Sequence, residues 1–283
     1  MSTIAFFTLG EDGHLHPTRF SHSLWAPNTL NGPAVCAIAA RTAEREFSAP
    51  GFRPARFTID LFKATHDVPT SLRSNIIRDG HRIRVGDVEI WQHHPDGREV
   101  MVARSTTVFL RESVNPPGER WSRAPESVTF HPPTVDYDDL RPRFSSDTTE
   151  SAGAWDGEMA RHQNGARKRL WARAAPPVAG EELTPFQHAV ITAESTSMIC
   201  NWGSTGIGFI NCDLTVALTR LPVGQRVGVE ADSHVEDSGI SVSTSGLYDA
   251  YGAFGTGMVT AVNNAAAEID FTTADTTGRY REA

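Results

Sequence analysis

Two carboxylates stand inside runs that otherwise read as strands. Asp60 lies in FTIDLFKATHDVP, from Phe57 to Pro69, and Asp213 lies in INCDLTVALTRLP, from Ile210 to Pro222. Each is followed by Leu, and each run closes on a Pro at the same distance from its Asp. A carboxylate amid apolar neighbours is costly unless it is paired or hydrogen-bonded. It can serve as an acid or base, or as a fixed acceptor. Because the same residue recurs at the same place in two halves of one chain, an architectural role is expected. Each Asp would accept hydrogen bonds at a junction between the halves and fix strand register or a helix start.

Other residues with chemical potential fit simpler roles. The Gly203 to Gly208 stretch, GSTGIG, follows a helical pattern and precedes a strand, the reverse of what a dinucleotide-binding turn requires. His93-His94 sits beside the turn Pro95-Asp96-Gly97 with no third ligand at helical or hairpin spacing, so no metal site is expected. No Gly-x-Ser-x-Gly elbow occurs, which argues against an α/β-hydrolase. The three cysteines, Cys36, Cys200 and Cys212, lack metal-type spacing and read as small core residues. Arg167-Lys168-Arg169 is a basic run in an acidic chain, either a solvated strand edge or a contact for anionic phosphates.

The elements around the two Asp strands also repeat. LNGPAVCAIAARTAERE, from Leu30 to Glu46, opens on Asn-Gly-Pro, with Pro33 suited to the first helical position and Arg41 and Arg45 to the last turns. LTPFQHAVITAESTSMIC, from Leu183 to Cys200, opens on Thr184, Pro185 and Gln187, a capping-box pattern. Each helix precedes its Asp strand by a nearly equal span. Alternating strands follow, with turns at Asp79-Gly80, Asp96-Gly97, Asp237 to Gly239 and Tyr251-Gly252. TIAFFTL and GARKRLWARAA supply candidate strands ahead of the helices. Each half thus reads as one helix and a four-stranded antiparallel meander. The first helix is apolar on most sides and must be buried. A curved antiparallel sheet wrapped around one central helix satisfies it, which is the hotdog fold. The predicted class is α+β, a double hotdog of two antiparallel sheets, each around a central helix, joined as a pseudo-dimer.

The boundaries follow: 1–114 for the first hotdog, 115–150 for a Pro-rich surface linker, and 151–283 for the second hotdog with a polar tail from Asn263. The chain of 283 residues, 39% hydrophobic, can hold a substantial core. A net charge of −8 argues against a nucleic-acid surface but leaves room for an anionic small ligand held by a few local Arg or Lys residues. The N-terminal MSTIAFFTLGEDG lacks a basic n-region, and no run approaches the length of a membrane span. A cytoplasmic protein without membrane contact is expected.

NGPAVCAIAARTAER, FTIDLFK and INCDLTVALTRLPVG together resemble the acyl-CoA thioesterase II (TesB-like) family, in its actinobacterial-type double-hotdog branch. The resemblance covers nearly the whole chain apart from linker and tail. It implies hydrolysis of an acyl-CoA thioester to a carboxylic acid and CoA, a place in fatty-acid metabolism, no cofactor and no metal. It also implies a water held by a helix carboxylate, a strand Thr and a later Gln. Carried onto this sequence, the carboxylate falls on Glu194, the Thr position on Asn211 and the Gln position on Thr260, or on Val259 if the register slips by one. Asn31, Gly32 and Thr58 are the expected substrate-binding residues. Asn31-Gly32-Pro33 is either a helix cap alone or a helix start facing the other half, where Gly32 lets a thioester carbonyl approach the backbone. A non-catalytic acyl-CoA-binding or scaffold protein is the alternative. A hotdog hydratase would need an Asp–His pair, for which Asp60 and His66 are poor candidates. Pairing of double-hotdog chains into a homodimer is expected.

Overall fold

The computed structural model describes residues 4–122, 129–148 and 154–275; the remaining parts of the expected linker and tail lie outside the described residues. The first half holds β1 (Phe7–Leu9), β2 (Leu15–Pro17), α1 (Gly32–Phe47), β3 (Phe52–Leu61), β4 (Thr70–Asp79), β5 (Ile83–His93) and β6 (Glu99–Arg111). The second holds β7 (Arg143–Ser146), β8 (Lys168–Ala172), α2 (Pro185–Ala193), α3 (Thr196–Asn201), β9 (Phe209–Asn211), β10 (Asp213–Leu218), β11 (Val227–Asp237), β12 (Ile240–Asp249) and β13 (Gly252–Asn263).

All thirteen described strands join one antiparallel sheet, in the order β1-β2-β4-β5-β6-β3-β10-β13-β12-β11-β8-β7, with β9 added beside β13. The architecture is a double hotdog. The two half-sheets join edge to edge, with β3 paired to β10, as the expected pseudo-dimer requires. One detail differs from the sequence expectation: the four long strands of each half are not a simple meander. The first of them, β3 or β10, returns to lie beside the last, β6 or β13. The hairpin turns fall where turn chemistry puts them, with Gly97 (φ 84°), Gly239 (φ 79°) and Gly252 (φ 109°) taking the left-handed backbone such turns demand.

Alternation along β3 and β10 directs Phe57, Ile59, Leu214 and Val216 inward, where they are buried against the helices. Each fully buried side chain of this size stabilises the fold by roughly 1.5–3 kcal/mol relative to exposure. The run from Ala34 to Ala40 is buried on every side, and its small side chains let α1 and α2 approach closely. The contact is fastened by polar groups near the surface. Arg41 grips the Glu181 carboxylate, and Glu44 accepts from Thr184 Oγ1 (2.6 Å) and Gln187 Nε2 (3.0 Å).

The second helix is not continuous. It breaks after Ala193, and α3 resumes at Thr196. The Ser195 N–H donates to Thr192 O and the Ser197 N–H to Glu194 O, each three residues back, which tightens the turn around Glu194.

Two stretches expected to lie loose are packed. Within the expected linker, Phe130 is buried, stacks on Tyr248 with ring centroids 4.5 Å apart, and lies over Gly228, where a Cβ would meet its ring at 2.1 Å. Residues 143–146 of the same stretch form β7, paired with β8. In the expected loose tail, Ile269 and Phe271 are buried and the backbone of Ile269 bridges that of Ile207. A few apolar residues in a polar context suffice to seat such segments.

Candidate active site

Where the N-terminus of α1 meets the break between α2 and α3, a cavity of about 890 Å³ opens between the two halves. Asn31, Gly32, Pro33, Glu194, Ser195 and Asn211 line it. Gly32 and Glu194 come from different halves and touch. A Cβ on Gly32 would sit 2.0 Å from Glu194 Oε1, so only glycine leaves room for the carboxylate against the backbone. Glu194 is 8% exposed. Asn211 Nδ2 donates to Glu194 Oε1 at 3.2 Å and to Asp213 O at 3.2 Å, which holds the carboxylate from the sheet side.

Asn31 caps α1. Its Oδ1 accepts from the Ala34 N–H (2.9 Å), and its Nδ2 donates to Phe20 O and His22 O. Pro33 has no N–H, and the Gly32 N–H has no acceptor among the described residues. A helix N-terminus with such a donor favours developing negative charge. The Asn-Gly-Pro triplet is therefore both a cap and a helix start facing the other half.

Thr260 and Thr58 lie elsewhere. The neighbours of Thr260 on β13, Val259 and Ala261, are both buried, so Thr260 points to the opposite face of the sheet. There its Oγ1 donates to Asp213 Oδ2 (2.8 Å) and its N–H to Asp213 Oδ1 (2.6 Å). Thr58 alternates with buried Phe57 and Ile59 in the same way, and its Oγ1 lies 3.4 Å from Thr106 O. Neither side chain lines the cavity. Val259, the other register for the expected Gln, faces inward but carries no polar atom.

A family model for the acyl-CoA thioesterase N-terminal domain matches residues 21–109, and one for the acyl-CoA thioesterase C-terminal domain matches residues 124–258. The chain belongs to the acyl-CoA thioesterase family. Solved structures share the fold of this thioesterase-family chain at low identity. The tesB protein of Mycobacterium avium subs. paratuberculosis aligns with a TM-score of 0.57 at 14% identity, covering 84% of this chain and 89% of that one. Acyl-CoA thioesterase II TesB2 of Mycobacterium marinum aligns at 0.57 and 12%, covering 81% and 88%. A conserved hot dog fold protein of unknown function from Alicyclobacillus acidocaldarius aligns at 0.59 and 14%, covering 90% and 95%. No curated protein matched the chain in sequence.

The thioesterase-family cavity has further walls that sequence reasoning missed. Lys63, Arg141 and Arg173 line it with no ion-pair partner among the described residues, while Ile207, Ile269 and Phe271 close an apolar end. The basic run at Arg167 to Arg169 plays neither expected part. Lys168 is buried with Nζ on Asn164 O and Ala166 O, and Arg169 is buried on Glu230 and Asp147. Burial lowers the Lys168 amine to about 8.

One constellation imitates a hydrolytic triad. Ser146 Oγ lies 3.1 Å from His162 Nδ1, and His162 Nε2 lies 3.3 Å from Asp156 Oδ1. No motif spacing announces it. Ser146 is fully buried and does not line the cavity, so no acyl group reaches it. The trio instead ties β7 to the short helical turn Met159–His162. The cysteines are no better as nucleophiles. Burial pushes the Cys200 thiol up to about 12 and raises those of Cys36 and Cys212, so their thiolates are disfavoured. Among the described residues, no group of three or more His, Cys, Asp or Glu is placed to hold a metal ion, and no helix is long and apolar enough to cross a membrane.

Proposed function

We propose that this chain hydrolyses acyl-CoA thioesters by direct attack of water, with Glu194 as general base. The observation that carries the reading is the Glu194 carboxylate of one half lying against Gly32 at the helix start of the other, within a cavity that reaches the surface. A thioester carbonyl is already electrophilic and needs no protein nucleophile. Glu194 takes a proton from water as the oxygen adds to the carbonyl carbon. The oxyanion that forms is stabilised by the Gly32 N–H and the α1 dipole. The intermediate then collapses, the C–S bond breaks, and the thiolate takes up a proton to leave as CoA. Asn211 positions Glu194 through its amide. Lys63, Arg141 and Arg173 offer charge to the CoA phosphates. Thr260 and Thr58 take no part in the reaction.

Release of CoA thiol from a panel of acyl-CoAs tests this, with Glu194→Gln as the paired variant. A loss of about 10²–10⁴-fold in kcat is expected for removal of a general base. Equal rates for wild type and variant would remove Glu194 from the mechanism. A second reading, an acyl-CoA-binding or scaffold protein without turnover, draws on one observation. The β13 position expected to carry Gln holds Thr260, turned away and bound to Asp213. Tight acyl-CoA binding with no thiol release would establish it. We place the chain in the cytoplasm as a homodimer, and sedimentation of the purified protein checks the pairing.

A further inference from the structure

The segment from Glu268 to Asp275 follows β13 and crosses the apolar end of the cavity. Its sequence is mostly polar, yet Ile269 and Phe271 are only 8% and 7% exposed and line the cavity together with Ala274. Three separate devices hold it there. The backbones of Ile207 and Ile269 exchange two hydrogen bonds, of 3.0 and 3.2 Å. Gly206 (φ 142°) permits this approach, because a Cβ there would lie 2.3 Å from Ile269 O. Gln163, from the other side, accepts from the Phe271 N–H at 2.8 Å and donates to Asp270 Oδ1 at 2.8 Å and Thr205 O at 3.2 Å. Behind the segment, the Phe271 ring meets Trp202 edge-on at 4.8 Å, and Trp202 meets Phe144 at 5.5 Å.

The two ends of the cavity differ. Toward the first half its walls reach solvent through Leu24 (40% exposed), Phe62 (48%) and Lys63. On the strap side Phe144, Leu170, Ile207, Ile269 and Phe271 are buried, and the exposed carboxylate in the lining there is Asp275, at the very end of the strap. A charged head group cannot shed its water into such an end, whereas an alkyl chain gains by entering it. We infer that the Glu268–Asp275 strap is the floor of the acyl-chain subsite, with Phe271 and Ala274 as the residues that set the longest chain accepted. The inference rests on the acyl-CoA reading of this site. It adds which end receives the alkyl group and which residues limit it.

The test uses the full chain and a series of straight-chain acyl-CoAs from butanoyl to hexadecanoyl. Hydrolysis is followed as kcat/KM and binding is measured separately by calorimetry. Phe271→Ala deepens the subsite, and Ala274→Phe fills it from a half-buried position without leaving a void. Phe271→Ala is expected to move the preferred chain length upward by at least one methylene. Each added methylene that is newly buried should raise kcat/KM by about fourfold. Ala274→Phe is expected to move the preference downward by at least one methylene. Gln163→Leu, which unpins the strap without lining the cavity, should broaden the profile toward longer chains. If either of the lining variants turns over substrate with the wild-type chain-length profile, the strap is not the floor, although the hydrolytic reading survives. If no chain is hydrolysed but the binding profile shifts as described, the strap inference holds and hydrolysis falls. If wild type neither binds nor hydrolyses any acyl-CoA, both fall.

Discussion

A single absent methyl group decides what Glu194 can touch. Gly32→Ala would place a Cβ 2.0 Å from Glu194 Oε1, so the carboxylate must swing away from the α1 N-terminus. At the first helical position alanine carries no backbone penalty, and the thermal midpoint is expected to stay near that of wild type. The kcat for acyl-CoA hydrolysis should fall at least tenfold, by analogy with loss of one positioned donor or base. Unchanged kcat would show that the contact is incidental. Asn211→Ala makes a related test, because Asn211 acts through Glu194 and not on the substrate. Its expected effect is a lower kcat at nearly constant KM, with partial rescue in Asn211→Gln. A purely structural role would instead lower the thermal midpoint and move KM and kcat together. At this scale Gly32, Glu194 and Asn211 were named through the family resemblance, and the fold brings all three to one cavity. The sequence was illegible where only face parity decided. A one-residue step along a strand reverses the face, and that step separates Thr260 from inward Val259 and Thr58 from inward Phe57.

The helices and hairpins show the same division between local and tertiary control. Asp-Gly and Ser-Gly turns dictate their own backbone, and the capping box at Thr184 satisfies the first N–H groups of α2 without outside help. These features were visible in sequence. The break after Ala193 was not, because ITAESTS carries no Gly or Pro and could continue as a helix; the tightened turn and its contacts with α1 are tertiary. Nor was the strap, whose two apolar residues gain meaning only from the cavity they cover. A buried imidazole on α2 gives this packing a pH signature. His188 is 4% exposed, and burial holds it at about 4, well below the ordinary 6.5, although its hydrogen bond to the Ala172 backbone opposes the shift. The unfolded chain therefore takes up this proton before the folded one as pH falls. The stability involved is fully present above about 6.5 and is lost as pH drops toward 4, to a total on the order of 3 kcal/mol. Urea denaturation from pH 7 to pH 4 should show the decline. His188→Asn, which keeps a donor for Ala172 but cannot titrate, should flatten it. An equal pH slope in the variant would assign the acid lability to other groups.

For the whole molecule, the repeated Asp strand marks the line along which two modules become one sheet. Asp60 and Asp213 are Cα partners at the β3–β10 pairing, with Ile59 opposite Leu214 and the Leu61 N–H donating to Cys212 O just beyond. The recurrence therefore reflects a pseudo-twofold axis on which each Asp meets its own counterpart. Their duties are nevertheless unequal. The β13 ladder changes register between its pairing with β10, where Thr215 faces Met258, and with β9, where Asn211 faces Ala261. At that step the Asp213 carboxylate accepts both the N–H and the hydroxyl of Thr260, standing in for a lost ladder bond. On the other side β3 runs past β6 without a shift at this point, and Asp60 lies opposite Arg104, an exposed cross-strand pair. Like charges directly opposite each other on adjacent strands are unfavourable, so the Asp60–Asp213 juxtaposition is a cost that only Asp213 offsets through specific bonds. Asp213→Ala is accordingly expected to destabilise by about 1–3 kcal/mol, the cost of leaving a donor unsatisfied at the junction. Asp60→Asn should lie within about 0.5 kcal/mol of wild type or above it, with the gain largest at low salt, where repulsion is least screened. Urea midpoints of the two variants, measured at low and high salt, discriminate. Equal destabilisation by both would mean that the duplicated carboxylates share one structural duty, and that the register step at Thr260 is not what Asp213 sustains.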